Sequence, residues 1–223
     1  MNVEVYADIA CAWCRLRTHQ FERTVAAARA GRDVDLIYLP YQLDVQASEE
    51  PRPLIEEMAE MFGKDKALTM AAKMTRLGAA EGIEYRFDRA LAVNTFAAHR
   101  LLWFVLRDSG AGPQALLARA LYEAHFRGGA NVADHAELAG LAERVGLDGD
   151  RVEGFLASGK GVAEVRERIS AARRDGIASV PTFVLEDGER YPGEDATEAV
   201  LDALRRPRVG EPPGRTTTNG EGS

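Results

Sequence analysis

Cysteine is nearly absent from this chain: two residues in 223, at positions 11 and 14. A structural disulfide framework is thereby excluded, and the loop that a bond between these two would close is too short to stabilise a fold by much. Histidine is scarce as well. His19, His99, His125 and His135 are scattered and offer no second close pair, so the four-ligand spacing of a zinc site is missing and no metal is expected. Basic charge is in deficit, with 28 Lys and Arg against 35 Asp and Glu and a formal net charge of -7. That balance argues against non-specific binding to nucleic acid or to anionic membranes. No segment supplies the roughly 20 consecutive apolar residues of a membrane span. The start of the chain lacks the basic n-region and apolar h-region of a secretory signal, so a cytoplasmic location is expected.

What is present alternates between strand and helix at both ends. Asn2 to Ala7, with Val3 and Val5 on one face, reads as a buried strand. A helical spacing of Leu16, Phe21, Val25 and Ala28 follows, over about 13–30, with Gly31 as its stop. Asp33 to Leu39 alternates again and ends at Pro40. Two strands joined by a helix imply a parallel β-α-β unit. The stretch from Pro53 to Gly159 carries helix after helix and no convincing strand, with helices expected at 54–62, 64–82, 94–107, 114–127, 134–145 and 150–157. Such a run inside an alternating chain reads as an inserted helical domain. The α/β pattern then resumes: a helix from Val162 that ends at Gly176, a strand at 182–185, a hairpin turn at Asp187-Gly188, a return strand from Arg190, and a last helix opened by Asp195. The expected divisions are 1–50 for the first α/β part, 51–160 for the helical insertion, 161–206 for the second α/β part, and 207–223 for a disordered tail.

Cys11 and Cys14 fall where the first strand hands over to the first helix. Unpaired N–H groups and the positive end of the helix dipole favour a thiolate there. Thiols in such Cys-x-x-Cys turns titrate from about 3.5 to 7, against about 8.5 for a free thiol. The i, i+3 spacing puts both sulfurs on one face. Cys11, before the helix, is expected to be the exposed nucleophile, and Cys14, in its first turn, the buried resolving thiol. Trp13 is placed to stack on a substrate or cover the dithiol, and Arg15 or Arg17 either to stabilise the Cys11 thiolate or to stand in solvent. His99 lies on an apolar helix and is expected to be a core histidine with a local hydrogen bond.

The order of these elements, with Ser179-Val180-Pro181-Thr182 ahead of the hairpin, resembles the thioredoxin fold with a helical insertion, and specifically the DsbA family. The segments Asp8-Ile9-Ala10-Cys11-Ala12-Trp13-Cys14, Asn94-Thr95-Phe96-Ala97-Ala98-His99-Arg100 and Gly176-Ile177-Ala178-Ser179-Val180-Pro181-Thr182-Phe183 look like its FrnE-like branch, associated with polyketide biosynthesis. The resemblance spans about 2–205. It implies an α/β thioredoxin fold with a large all-helical inserted domain, a cis peptide bond at Pro181 facing the dithiol, and backbone hydrogen bonds from Val180 to an extended substrate or to glutathione. Ala12 and Trp13 would line the same substrate site, and Gly193-Glu194-Asp195 is a weaker candidate beside it. The chain departs from the common Cys-Pro-Trp-Cys and following aromatic by having Ala12 and Arg15. A redox potential therefore cannot be carried over.

The expected activity is thiol–disulfide exchange at Cys11 and Cys14 with protein thiols, protein disulfides or glutathione. No cofactor is required beyond the dithiol, with glutathione as an optional co-substrate. The alternative is a glutathione-dependent isomerase or transferase acting on an aromatic or polyketide molecule, like the hydroxychromene-carboxylate isomerases and kappa-class transferases of the same superfamily. Those typically have serine at the Cys11 position and no second cysteine. A non-enzymatic binding module is the third reading.

Overall fold

The computed structural model describes residues 1–28 and 33–205. The expected helix stop at Gly31 and the expected tail at 207–223 lie outside the described residues. Strand β1 (Asn2–Ala7) leads into helix α1 (Ala12–Ala28) and strand β2 (Asp35–Pro40). β1 and β2 pair in parallel, Val3 opposite Leu36 and Val5 opposite Tyr38. At the other end of the chain, helix α8 (Val162–Arg174) precedes strands β5 (Thr182–Val184) and β6 (Arg190–Pro192), and helix α9 (Ala196–Arg205) closes the described part. β5 runs antiparallel to β1, and β6 antiparallel to β5. The sheet order is β2-β1-β5-β6, so the chain's first and last thirds meet at the β1–β5 seam.

Alternation decides which way the strands face. Val3, Val5 and Ala7 are buried and the strand residues between them are not, as the period-2 pleat requires. Burying each such valine stabilises the sheet by about 1.5–3 kcal/mol. Phe21 of α1 stacks on Phe183 of β5 with ring centroids 4.8 Å apart, which fixes the helix over the sheet. β2 is an edge strand, and its free edge is closed by a side chain. The Tyr38 N–H donates to Gln114 Oε1 (2.9 Å) while Gln114 Nε2 donates to the Tyr38 carbonyl (2.9 Å), so the amide imitates a further strand.

Between β2 and α8 lie helices α2 (Leu54–Phe62), α3 (Lys64–Ala80), α4 (Phe96–Ser109), α5 (Ala111–Glu123), α6 (His135–Arg144) and α7 (Gly149–Ala157). Three departures from the sequence expectation have physical causes. Two short strands, β3 (Arg52–Pro53) and β4 (Leu91–Ala92), pair antiparallel where no strand is expected; two residues are too few to show a period. α4 starts at Phe96 rather than Asn94, because Asn94 turns its side chain to the Phe96 N–H (2.9 Å) and its own N–H to the Ser48 carbonyl (2.8 Å). α5 starts at Ala111 rather than Gln114, since Pro113 is tolerated within a first helical turn. α5 also gives way after Glu123 to a π-helical turn over Ala124–Gly128. Most buried residues of sheet and helices form one continuous cluster, and Ala172 of α8 forms a small second one with Tyr41 and Ile177. No helix among the described residues is long and apolar enough to cross a membrane.

Candidate active site

β1 ends at Ala7 and α1 begins at Ala12, so the four residues Asp8 to Cys11 form the turn between sheet and helix. The turn is closed by its own backbone: the Cys11 N–H donates to the Asp8 carbonyl at 3.1 Å. Cys11 thereby stands just before the helix, and the Cys14 N–H, unpaired within the helix, donates to Cys11 Sγ at 3.2 Å. Both cysteines are free thiols. Cys14 is fully buried, and burial, followed by its contacts with Cys11, pushes its pKa well above the usual thiol range. A solvent-excluded thiolate lacks the hydration that would favour it.

Opposite the dithiol runs the loop into β5. The Val180–Pro181 peptide bond is cis, and the Val180 carbonyl lies 3.9 Å from Cys11 Sγ. Pro181 is buried and Val180 half-buried. Gly193 lies against them: a Cβ there would fall 2.8 Å from Pro181 Cγ and 2.9 Å from Arg17 Cγ, so only glycine fits. Next to it Glu194 pairs with Arg17 at 3.4 Å. The structure thus brings Cys11, Cys14, Val180 and Pro181 together and sets Gly193 and Glu194 at their margin. Trp13 is exposed, with the Arg17 guanidinium and the Lys73 ammonium 5.5 Å and 5.4 Å from its ring. Ala12 turns its carbonyl to Tyr85, whose hydroxyl donates to it at 2.7 Å.

Two expectations are corrected. Cys11 is not exposed: it retains only 7% of its surface, because the Val180–Pro181 loop and the start of α1 close over it. Arg15 and Arg17 are engaged elsewhere. Arg15 lies over the Tyr85 ring and donates to the Glu84 carbonyl at 2.7 Å, while Arg17 reaches Gln20 and Glu194.

Beneath the dithiol is a polar group that sequence reasoning did not assign. Asp8 is buried, yet its carboxylate accepts from the Leu43 N–H (2.7 Å) and the Ala10 N–H (3.4 Å), and it meets His99 Nε2 at 3.2 Å. Burial favours the neutral acid, but the His99 hydrogen bond and charge, with the Leu43 and Thr95 donors, outweigh it and hold the Asp8 pKa below the usual value. The hydrogen bond of His99 is therefore not local: its partner is 91 residues away. Tyr122, on α5, donates to the Asp8 carbonyl at 3.1 Å. The one available signal was that Asp8 and His99 both sit inside the segments that carry the family resemblance.

A parallel β-α-β unit with a dithiol at the helix start, faced by a cis-proline loop, defines a protein of the thioredoxin fold. The chain belongs to the DSBA-like thioredoxin domain family, which matches residues 2–205. A probable DsbA oxidoreductase from Streptomyces coelicolor is 29% identical, with a TM-score of 0.80 over 93% of this chain and 92% of that one. The uncharacterized protein YwbO of Bacillus subtilis (strain 168) is 24% identical over 189 residues, 84% of this chain and 88% of that protein. The cytosolic disulfide reductase DsbM from Pseudomonas aeruginosa shares the fold at 19% identity and a TM-score of 0.63, over 91% of this chain and 98% of that one.

Proposed function

We propose that this protein is a thiol–disulfide oxidoreductase that exchanges electrons through the Cys11–Cys14 pair with protein or small thiol substrates. The observation that carries the reading is the inequality of the two thiols across one hydrogen bond. Cys11 Sγ receives the Cys14 N–H at 3.2 Å and faces the Val180 carbonyl, while Cys14 is sealed and its pKa raised by burial. In the reductive direction Cys11 attacks a substrate disulfide. One new S–S bond joins Cys11 to substrate, the old one breaks, and the electron pair leaves on the substrate thiolate. Cys14 then loses its proton to solvent and attacks Cys11 Sγ, forming the Cys11–Cys14 disulfide and releasing the second substrate sulfur as thiolate, which is reprotonated. The oxidative direction is the reverse sequence.

Ala12, Trp13, Val180 and Pro181 line the substrate side, and the Val180 backbone offers an extended peptide or glutathione a hydrogen-bonding edge. No resident cofactor is needed, because the dithiol itself carries the electrons. Glutathione is the small thiol partner in this reading, and the location is cytoplasmic. The three segments around Cys11, His99 and Pro181 favour the FrnE-like branch. The second, fully buried thiol at Cys14 favours dithiol exchange over glutathione-dependent isomerisation, which has no use for it.

Titration of the protein against glutathione and dithiothreitol buffers, with alkylation to count free thiols, tests this reading. A reversible intramolecular disulfide is expected; a potential near about -120 mV would mark an oxidant and one near about -270 mV a reductant. Failure to form that disulfide at any potential would sink the dithiol mechanism.

A further inference from the structure

We propose that the exposed face of α3 beside the dithiol, marked by Lys66 and Lys73, receives an acidic peptide segment next to the reacting cysteine of the substrate. This rests on the dithiol reading and names a substrate class for it: thiols and disulfides flanked by Asp or Glu. The face begins at the active site. Trp13, between the two cysteines in the chain, is exposed, and Lys73 of α3 holds its ammonium 5.4 Å from the Trp13 ring. Two helical turns away, Lys66 lies over the exposed Phe62 ring, also at 5.4 Å. Lys66, Thr69 and Lys73 follow at spacings of three and four, so they share one side of the helix, and all three are exposed. Two cation–aromatic pairs therefore stand along one line, the first of them at the dithiol.

The charge of this face is opposite to that of the molecule. The chain carries a net charge of -7, yet Lys66, Lys73 and Arg76 succeed one another on the exposed side of α3, whose one acid is Asp65. Among the described residues the side-chain ion pairs are made by arginine and histidine, none by lysine, and Arg76 has no carboxylate partner. Of the three acids on the neighbouring α2, Glu57 and Glu60 are already held by Arg52. At Trp13 the second cation, Arg17, is balanced by Glu194, which leaves Lys73 as the uncompensated charge. A substrate carboxylate arriving there meets a cation without displacing an internal partner, and the Trp13 and Phe62 rings give the residues beside it an apolar surface to pack on. Length decides between a peptide and a small thiol. Seven residues of helix set Lys66 and Lys73 about 10 Å apart, a span that about three residues of extended chain cover. Glutathione is about that long from end to end, so with its central cysteine at Cys11 it does not reach both lysines.

The test uses reduced full-length protein and peptides whose one cysteine is joined to an aromatic thiol that is coloured when released. Cys11 attacks the peptide sulfur, the peptide–aryl S–S bond breaks, and the electron pair leaves on the aryl thiolate, so the colour reports the encounter with Cys11. Three peptides differ only in the residues flanking the cysteine, which are Glu, Gln or Lys. Free mercaptoethanol corrects for each peptide's own reactivity, and an uncharged hydroxyethyl aryl disulfide is the reference for each variant. At low salt the Glu peptide should react about tenfold faster than the Gln peptide, and the Lys peptide more slowly than either, as electrostatic steering requires. At about 1 M salt, where the screening length falls to about 3 Å, the three should converge. In the double variant Lys66→Gln/Lys73→Gln the Glu peptide should lose its advantage, and in Lys66→Glu/Lys73→Glu the order should invert. Equal rates for the Glu and Gln peptides with the wild type would overturn the proposal, and that measurement needs no variant to fold. So would an advantage that survives the double Gln substitution, or one that a glutathione aryl disulfide shows to the same degree. Release of colour by the wild type no faster than by Cys11→Ala, from every one of these disulfides, would instead overturn the dithiol reading, and this inference with it.

Discussion

Helical geometry alone makes Cys11 and Cys14 unequal. One stands before the first turn of α1 and the other within it, so the Cys14 N–H can serve Cys11 Sγ. Burial then widens the difference, since Cys14 has no exposed surface at all. Removing Cys14 should therefore leave attack intact and abolish release. With a disulfide-bonded peptide as substrate, Cys14→Ala is expected to accumulate a covalent adduct of one peptide per chain. Cys11→Ala should form none and reduce turnover to the uncatalysed background. Mass spectrometry under non-reducing conditions distinguishes the two, and an adduct on Cys14 in the Cys11 variant would reverse the assigned roles. This pair was legible in the sequence because its logic is local: two thiols three apart at a strand-to-helix junction. The Asp8–His99 contact was not, because nothing in a spacing of 91 residues tells which buried histidine meets which carboxylate.

The start of α1 is held by more than its own hydrogen bonds, and the element that holds it is α3. Gly78 of α3 lies so close to the Tyr85 ring that a Cβ would fall 2.5 Å from Tyr85 Cδ2 and Cε2 and 2.8 Å from the Ile83 carbonyl. Tyr85 in turn stacks on Phe87, packs edge-on to Phe126 and donates its hydroxyl to the Ala12 carbonyl. A methyl group at Gly78 has to displace this ring. Gly78→Ala is expected to destabilise the protein by about 1–3 kcal/mol, the usual cost of overpacking. Tyr85→Phe, which loses only the hydroxyl contact, should cost about 0.5–1.5 kcal/mol. Thermal melts check both, each kcal/mol being worth roughly 2–4 °C in a chain of this size; equal melting temperatures for Gly78→Ala and wild type would mean that the ring is free to move. Most helices and strands β1 and β2 could be read from apolar periodicity, because their period repeats, while β5 and β6 could be read from the Asp187-Gly188 turn between them. The β3–β4 pair, the π-helical turn and the Asn94 turn could not. Each is set by one or two hydrogen bonds to distant backbone, such as those from Asn94 to Ser48 and Ala47, and a periodic reading averages over such single contacts.

At the scale of the whole molecule, a buried polar layer runs under the dithiol from Asp8 and His99 to His125, and it ties stability to pH. His125 is fully buried, and among the described residues neither of its ring nitrogens has a hydrogen-bond partner. Burial, the dominant influence, lowers its pKa from 6.5 to about 4. Between those values the unfolded chain binds a proton that the folded chain refuses. Stability is therefore complete above about pH 6.5 and falls as the pH drops toward 4, by on the order of 3 kcal/mol from this one residue. Asp8 acts in the same direction at lower pH. Its folded pKa lies below the unfolded value, so the stability it contributes is present above the unfolded value and is lost as pH falls through the folded one. The two groups act in succession, His125 first and Asp8 after it. Urea unfolding followed at intervals from pH 7 down to pH 3 should show this sequence. In His125→Leu, which removes the titrating ring at similar volume, the decline between pH 6.5 and 4 should flatten while the steeper loss below it persists. An unchanged slope across the upper window would mean that water reaches His125 and that the layer is not sealed.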